Sequence, residues 1–229
     1  MLVIIQARFS SARLPGKVLH PLAGRPMLGW VNERLRAAHR VTRIVVATST
    51  TTSDDPVLAF CRHNAIDCFR GSLDDVAARL AAAAVWANSN AFVRVSGDSP
   101  LISPDVIDDI IALFECARPD LATNVQLRTF PKGMSAEAIG LEGLHRARAT
   151  MRPGEEEHVT GPFYRCPERF RIVNLTSGQD WGSIQLSVDT AQDLSLAEQV
   201  LLRGAGRDAH MGVAELVDLR ARCLAGAMA

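Results

Sequence analysis

The chain has 229 residues, 48% of them hydrophobic and 22% charged, which is enough apolar material for one sizeable core and too much for a disordered tail. Lys+Arg and Asp+Glu both number 25 and aromatic residues make up 5%, so there is neither the overall positive field nor the stacking surface of a nucleic-acid binder. The apolar residues 2–5 are too short a run for a signal peptide and no stretch approaches a membrane span, so the expectation is a cytoplasmic protein, one domain over residues 1–229, with no membrane or nucleic-acid partner.

The first element predicted is a strand over residues 2–6, LVIIQ. It is followed by IIQARFSSARLPGKVL (4–19), where Arg8, Arg13, Lys17, two serines, a proline and a glycine crowd together. Through residue 43 there are eight basic residues against one acid, Glu33, so this end of the chain suits an anion. A helix starts near Pro26, whose fixed φ fits a first turn, and carries Met27, Val31 and Leu35 at helical spacing. Strands at 43–48, 67–70 and 91–96 then alternate with helices at 55–64, 73–88 and 104–117. Such alternation marks an α/β fold with a mostly parallel central sheet flanked by helices. Ser103 can cap the helix that follows it.

Beyond residue 120 the alternation weakens. An irregular excursion with short strands covers about 122–168, a pair of strands is expected at 170–175 and 183–189, and two helices at 192–203 and 213–224. Thr190 suits the cap of the first of these. The five cysteines are odd in number, widely spaced and without a CxxC pair, so they read as reduced thiols; Cys61, His63 and Cys68 lack a fourth zinc ligand. The acidic clusters Asp54/Asp55, Asp74/Asp75, Asp108/Asp109 and Glu155 to Glu157 read as solvated helix starts and faces.

Three segments carry chemistry. In an open parallel sheet the loops at the carboxyl ends of strands form the ligand crevice, and the loop after residue 6 lies there. Gly16, Ser10 and Ser11 let backbone N–H groups approach an anion, while Arg8, Arg13 and Lys17 supply charge. A solvated basic loop fits the same composition, and neither GxGxxG nor GxxxxGK[ST] occurs, which disfavours a dinucleotide fold or a P-loop ATPase. In RVSGDSPLISP (94–104), Asp98 follows a strand and can hold Mg²⁺ or close an Asx-turn. In LSVDTAQDL (186–194), Asp189 stands in the same relation to a strand and a helix. A basic loop with two strand-end carboxylates is the equipment for displacement at a nucleotide phosphorus.

Read in order, IIQARFSSARLPGKVLHPLAGRPMLGWVNERL, VATS, FRGSLDDV, RVSGDSPLI, RTFPKG, EHVT and VDTAQDL resemble the spore-coat-polysaccharide-type cytidylyltransferases, relatives of the acylneuraminate and Kdo cytidylyltransferases. The resemblance runs from residue 3 to about residue 200. It implies a GT-A-like nucleotidyltransferase fold and transfer of CMP from CTP to a small sugar acid with release of pyrophosphate. Arg8, Ser11, Arg13 and Lys17 would face the triphosphate, with Lys17, Arg8 and Asp98 in the catalytic role. Gly71 and Ser72 resemble the base-recognition segment, and Asp75 is a further candidate for nucleotide contact. Asp98 and Asp189 would hold Mg²⁺, the implied cofactor.

For the acceptor, RTFPKGMSAEAI and EEEHVTGPFY present Arg128, Lys132, Glu137 and His158. Relatives read closer to KGLDVEVF and EHVTPY, so Ser135 replaces a usual acid and Gly161 interrupts the second motif. The resemblance also makes a homodimer plausible, with 125–165 as a candidate interface. Two alternatives stay open at this level: another nucleotide or a sugar 1-phosphate acceptor, and a nucleotide-binding regulatory module without turnover.

Overall fold

The computed structural model of the protein describes residues 1–11, 13–205 and 209–226. Its centre is strand β1 (Leu2–Gln6), all but the last residue buried. A two-residue hairpin of β2 (Pro21–Leu22) and β3 (Arg25–Pro26) turns through Ala23 and Gly24, both at positive φ, as a tight hairpin of this length requires. After α1 (Met27–Arg36), the chain lays down β4 (Arg43–Ser49), α2 (Asp55–His63), β5 (Asp67–Gly71), α3 (Val76–Trp86) and β6 (Ala91–Ser96). Next come α4 (Pro104–Ala117), β7 (Leu121–Thr123), β8 (Glu137–Gly140), α5 (Leu141–Arg148), α6 (Gly161–Arg165), β9 (Ile172–Asn174), α7 (Ala191–Arg203) and α8 (Val213–Gly226).

Seven strands form one sheet in the order β5-β4-β1-β6-β8-β7-β9. Every pair is parallel except those made by β8, which runs antiparallel between β6 and β7. Period-two alternation sorts the strand residues onto two cores. Val3, Ile5, Val46, Val93 and Val95 meet α1, α2, α4, α7 and α8 on one face. Leu2, Ile4, Val45, Phe92 and Ile139 meet α3, α5 and α6 on the other. Each fully buried aliphatic or aromatic side chain contributes about 1.5–3 kcal/mol, so both faces stabilise the sheet against which the loops are set. None of the helices is long and apolar enough to cross a membrane among the described residues.

The irregular excursion has a built neck. Asn124 is fully buried; its Nδ2 donates to the Met134 carbonyl at 2.7 Å and its Oδ1 accepts from the Ala136 N–H at 2.9 Å. Residues 125–133 thus leave and rejoin the sheet at one point.

Several expectations need correction. Residues 183–189 form no ladder: their tie is a single bridge between Gln185 and Lys132, flanked by Lys132 N–H to Ile184 at 2.8 Å and Leu186 N–H to Lys132 at 2.7 Å. The alternation of Ile184, Leu186 and Val188 reflects packing of one side against the core. Helix α3 opens at Val76, not residue 73, because the Asp75 carboxylate accepts the Ala78 N–H at 2.7 Å as its cap. Ser103 precedes α4 but its hydroxyl makes no cap; its N–H points at the Met134 sulfur. Asp54 and Asp108 are not simply solvated: Asp54 is fully buried, and Asp108 receives the N–H groups of His39 and Arg40 beyond the end of α1. Cys61 on α2 and Cys68 on β5 share a thiol hydrogen bond that pushes Cys61 up and Cys68 down from the usual thiol range.

Candidate active site

The loop after β1 is held in shape at both ends. Gly16 sits at φ 69° and its N–H donates to the Phe9 carbonyl at 2.8 Å. A Cβ there would lie 2.9 Å from the Phe9 ring, so the close approach and the left-handed backbone both require glycine. The other anchor is Asp54, which accepts from the Phe9 N–H at 2.7 Å and the Ser49 N–H at 3.0 Å. Burial alone pushes the Asp54 carboxyl up; hydrogen bonds from the Ser49 side chain and from the Phe9 and Ser49 amides outweigh it and leave the group below the ordinary carboxylate range. Nothing in the spacing distinguished this aspartate from its exposed neighbour Asp55.

The loop delivers Lys17 to a point where two distant segments meet. Its Nζ donates to Asp98 Oδ2 at 2.8 Å, Asp189 Oδ1 at 3.1 Å and the Val188 carbonyl at 3.0 Å. The backbone explains the convergence: the Val188 N–H donates to the Asp98 carbonyl at 2.9 Å, stitching the turn after β6 to the segment before α7. Gly97 lets the same turn lie close against the end of β1, since a Cβ there would meet Ala7 Cβ at 3.0 Å. Asp189 is aimed by a capping box in which Thr190 and Asp193 exchange hydrogen bonds at the start of α7. Arg13 Nη2 reaches the same Asp189 oxygen at 2.9 Å.

Above these groups lies an open cleft of about 340 Å³ lined by Gln6, Arg8, Ser10, Ser11, Arg13, Lys17, Val18, Ser96 and Asp98. Arg8 is paired across it with Glu157 at 3.2 Å, a residue read from the sequence as part of a solvated acidic run. Gln6 and Ser96, the last residues of β1 and β6, line the same cleft.

The other nucleotide candidates lie apart from this lining. Gly71 ends β5 and packs against Arg79; a Cβ would lie 2.9 Å from Arg79 Cγ and 3.2 Å from the Phe69 ring. The Ser72 hydroxyl accepts the Asp75 N–H at 3.1 Å. Asp75 serves as a helix cap and as partner to Arg148 at 2.8 Å, so both its oxygens are taken within the fold rather than turned to a ligand. Arg79, 1% exposed, donates to the carbonyls of Ser72 and Leu73, while its Nε and Nη2 find no hydrogen-bond partner among the described residues. Burial, with the nearby charge of Arg8, lowers it to about 10. A lone arginine in an alanine-rich helix gives no sign of this in the sequence.

The four acceptor candidates do not line the cleft. Arg128 points both terminal nitrogens at the Ser135 hydroxyl, at 3.2 and 3.3 Å. Lys132 and His158 are exposed. Glu137 is 3% exposed, with its carboxylate oxygens held by Arg94 and Tyr164 at 2.6 Å each; an acceptor would meet it only by breaking those bonds. Desolvation and the Glu137 charge push the Tyr164 hydroxyl well above its ordinary value, so it stays a neutral donor. The Tyr164–Glu137 bond ties the two segments that carry the acceptor candidates.

The arrangement gathers cationic donors and two carboxylates at the carboxyl edge of the parallel strands, and comparison with known proteins shows the family to which the chain belongs. The family model described as cytidylyltransferase matches residues 2–139. The chain is 29% identical over 228 residues to the spore coat polysaccharide biosynthesis protein SpsF of Bacillus subtilis, covering 96% of this chain and 93% of that protein. It is 35% identical over 239 aligned residues to the 3-deoxy-manno-octulosonate cytidylyltransferase of Mesorhizobium japonicum, covering 87% and 98%. Among solved structures, a cytidylyltransferase from Leptospira borgpetersenii superposes with a TM-score of 0.92 at 29% identity, over 98% of this chain and 95% of that one. A match over more than half of the chain and near-complete coverage of full-length relatives place it in the cytidylyltransferase family, as a CTP-dependent nucleotidyltransferase.

Proposed function

We propose that the chain transfers the cytidylyl group of CTP to a hydroxyl of a small acidic sugar of the nonulosonate or 3-deoxy-manno-octulosonate type, releasing pyrophosphate, for surface polysaccharide assembly. The observation that carries the reading is the Lys17 ammonium bridging Asp98 and Asp189 beneath the Arg8–Arg13 loop. The names of the relatives support the acceptor class.

In this reading Arg8, Ser11 and Arg13 hold the triphosphate oxygens. Lys17 faces the phosphorus under attack and offsets charge as it develops. The acceptor oxygen bonds to the α-phosphorus as the bond to the β-phosphate oxygen breaks, pyrophosphate leaves with the electron pair, and the hydroxyl proton passes to solvent or to an acceptor-side base such as His158. Arg128, whose side-chain partner among the described residues is a neutral hydroxyl, keeps its charge for the sugar carboxylate. Lys132 is the second cation on that side. Gly71 and Ser72 border the base.

Asp98 and Asp189 would hold Mg²⁺. Two hard oxygen donors that already share one ammonium fit a divalent ion completed by water and phosphate oxygens. Among the described residues no cluster of three or more His, Cys, Asp or Glu forms a protein cage, which suits Mg²⁺ better than a structural Zn²⁺ or Ca²⁺. When bound, the ion draws charge off the α-phosphate and the leaving pyrophosphate.

The test is incubation with CTP, Mg²⁺ and a panel of acidic sugars including 3-deoxy-manno-octulosonate, read by mass spectrometry for a CMP adduct. Asp98→Asn should abolish pyrophosphate release and leave the melting curve close to wild type; retained turnover refutes the assignment. Selective stabilisation by UTP or GTP in a thermal-shift screen would favour the alternative nucleotide. A homodimer through residues 125–165 belongs to the same proposal and is read by sedimentation.

A further inference from the structure

Strand register puts Ala47, Gln6 and Ser96 side by side on the face shared with α3 and α6. One pleat repeat earlier, Arg94, Glu137 and Thr123 are paired in the same way. Beside Arg94 toward β4 the same face is apolar, with Ile4 and Val45 paired in its row, and one repeat further in Leu2, Phe92 and Leu121 lie in the core. A stepped polar row therefore runs from Gln6 on β1 and Ser96 on β6, both lining the cleft, through Arg94 and Glu137 to Thr123 on β7.

The row is bonded along much of its length. Thr123 Oγ1 meets the Tyr164 hydroxyl at 2.8 Å, and Tyr164 and Arg94 both donate to the buried Glu137 at 2.6 Å. Arg94 Nε in turn donates to Gln6 Oε1 at 3.1 Å. A guanidinium has donors only, so the oxygen end of the Gln6 amide must face Arg94. Its Nε2 end is turned away, makes no hydrogen bond among the described residues, and belongs to a side chain lining the cleft with Arg8, Ser11 and Lys17.

We propose that Gln6 is a further binding residue for the triphosphate, donating from Nε2 to a phosphate oxygen, and that Arg94 and Glu137 are positioning residues that fix which end of the amide faces the ligand. The proposal rests on the assignment of this cleft to CTP. A phosphate oxygen is favoured because Gln6 is the residue from which the Arg8–Lys17 loop springs, and the donor-only Nε2 end of its amide suits an oxyanion.

Calorimetry with CTP and Mg²⁺ on the full chain tests it. Gln6→Glu keeps an oxygen for Arg94 but presents an anionic oxygen without a donor, and CTP affinity should fall roughly tenfold or more, the scale of losing a hydrogen bond to a charged group. Gln6→Met, close in shape and without charge, should weaken CTP in the same direction and guards against misfolding of the first variant. Arg94→Lys keeps a cation for Glu137 but lacks the fork to hold Gln6 as well. It should weaken CTP in the wild-type background and add nothing in Gln6→Met, a non-additivity that general loosening does not produce. Unchanged CTP affinity in both Gln6 variants overturns the inference while leaving the cleft's assignment intact. Additive losses overturn the positioning role, and a wild-type chain that does not bind CTP overturns the assignment and the inference together.

Discussion

Replacing Lys17 with methionine removes the ammonium that Asp98 and Asp189 share and leaves two carboxylates facing each other. The Lys17 side chain is 13% exposed and its partners 24% and 27%. With an effective dielectric of about 20, each contact near 3 Å carries roughly 5 kcal/mol of gross attraction. Most of that is offset by taking the three charges out of bulk water. Breaking a fully buried pair costs about 3–5 kcal/mol; for carboxylates a quarter exposed, we expect about 2 kcal/mol, a fall in Tm of about 4–8 °C for a chain of this size. The same geometry predicts a second signature. In Lys17→Met the carboxylates can be bridged by a divalent cation, so millimolar Mg²⁺ should recover much of the lost Tm, while the wild type without nucleotide responds far less. Turnover should be lost in either case, since Mg²⁺ between the carboxylates does not restore the donor beside the phosphate. The assay is a thermal melt with and without Mg²⁺, alongside pyrophosphate release. A Lys17→Met variant as stable as wild type and indifferent to Mg²⁺ would refute the claim that these three groups form one electrostatic unit.

Asp54→Asn should destabilise by about 1–3 kcal/mol, because one amide oxygen cannot accept both the Phe9 and Ser49 N–H groups that the carboxylate holds. The folded carboxyl lies below its unfolded value, so its contribution is complete above the unfolded pKa and is lost as pH falls through the folded one; acid melts of the variant should therefore be flatter than wild type in the most acidic range. Gly71→Ala should shift the 71–73 segment against Arg79 and Phe69 and weaken CTP binding measurably by calorimetry; unchanged affinity would separate that segment from the base. Glu157→Gln releases Arg8 from an exposed pair worth at most about 1 kcal/mol, so CTP should bind up to about fivefold more tightly, and weaker binding would show that Glu157 assists the nucleotide instead.

Much of the architecture was legible because two periodicities report it directly. Strands at 2–6, 43–48, 67–70 and 91–96 match β1, β4, β5 and β6 to within a residue, since buried parallel strands read as apolar runs bounded by helices. The meeting of Lys17, Asp98 and Asp189 was expected from their placement after apolar runs read as strands, and the geometry brings them together although residues 183–189 form no ladder. Other features depended on partners that a single sequence does not display. Alternation at 183–189 announced a buried side and was silent about the ladder, which here is one bridge. Helix α5 escaped notice because its buried face is only Gly143, Leu144 and Ala147 amid charged residues. Glu137 resembled an acceptor ligand in its motif, yet the cross-strand neighbour that claims it, Arg94, lies 43 positions away. Asp54 and Asp55 are chemically identical in the sequence, and only the return of Phe9 distinguishes them.

The neck closed by Asn124 has a consequence for how such a protein diversifies. Because the Asn124 amide ties the residue before 125–133 to the backbone after it, at Met134 and Ala136, the two ends of that stretch are held together whatever lies between them. Side chains facing outward between the neck and Lys132 are free to vary, whereas a change of length is passed through the Lys132 bonds to Ile184 and Leu186 into the segment that ends at Asp189, so substitutions there should be tolerated better than insertions.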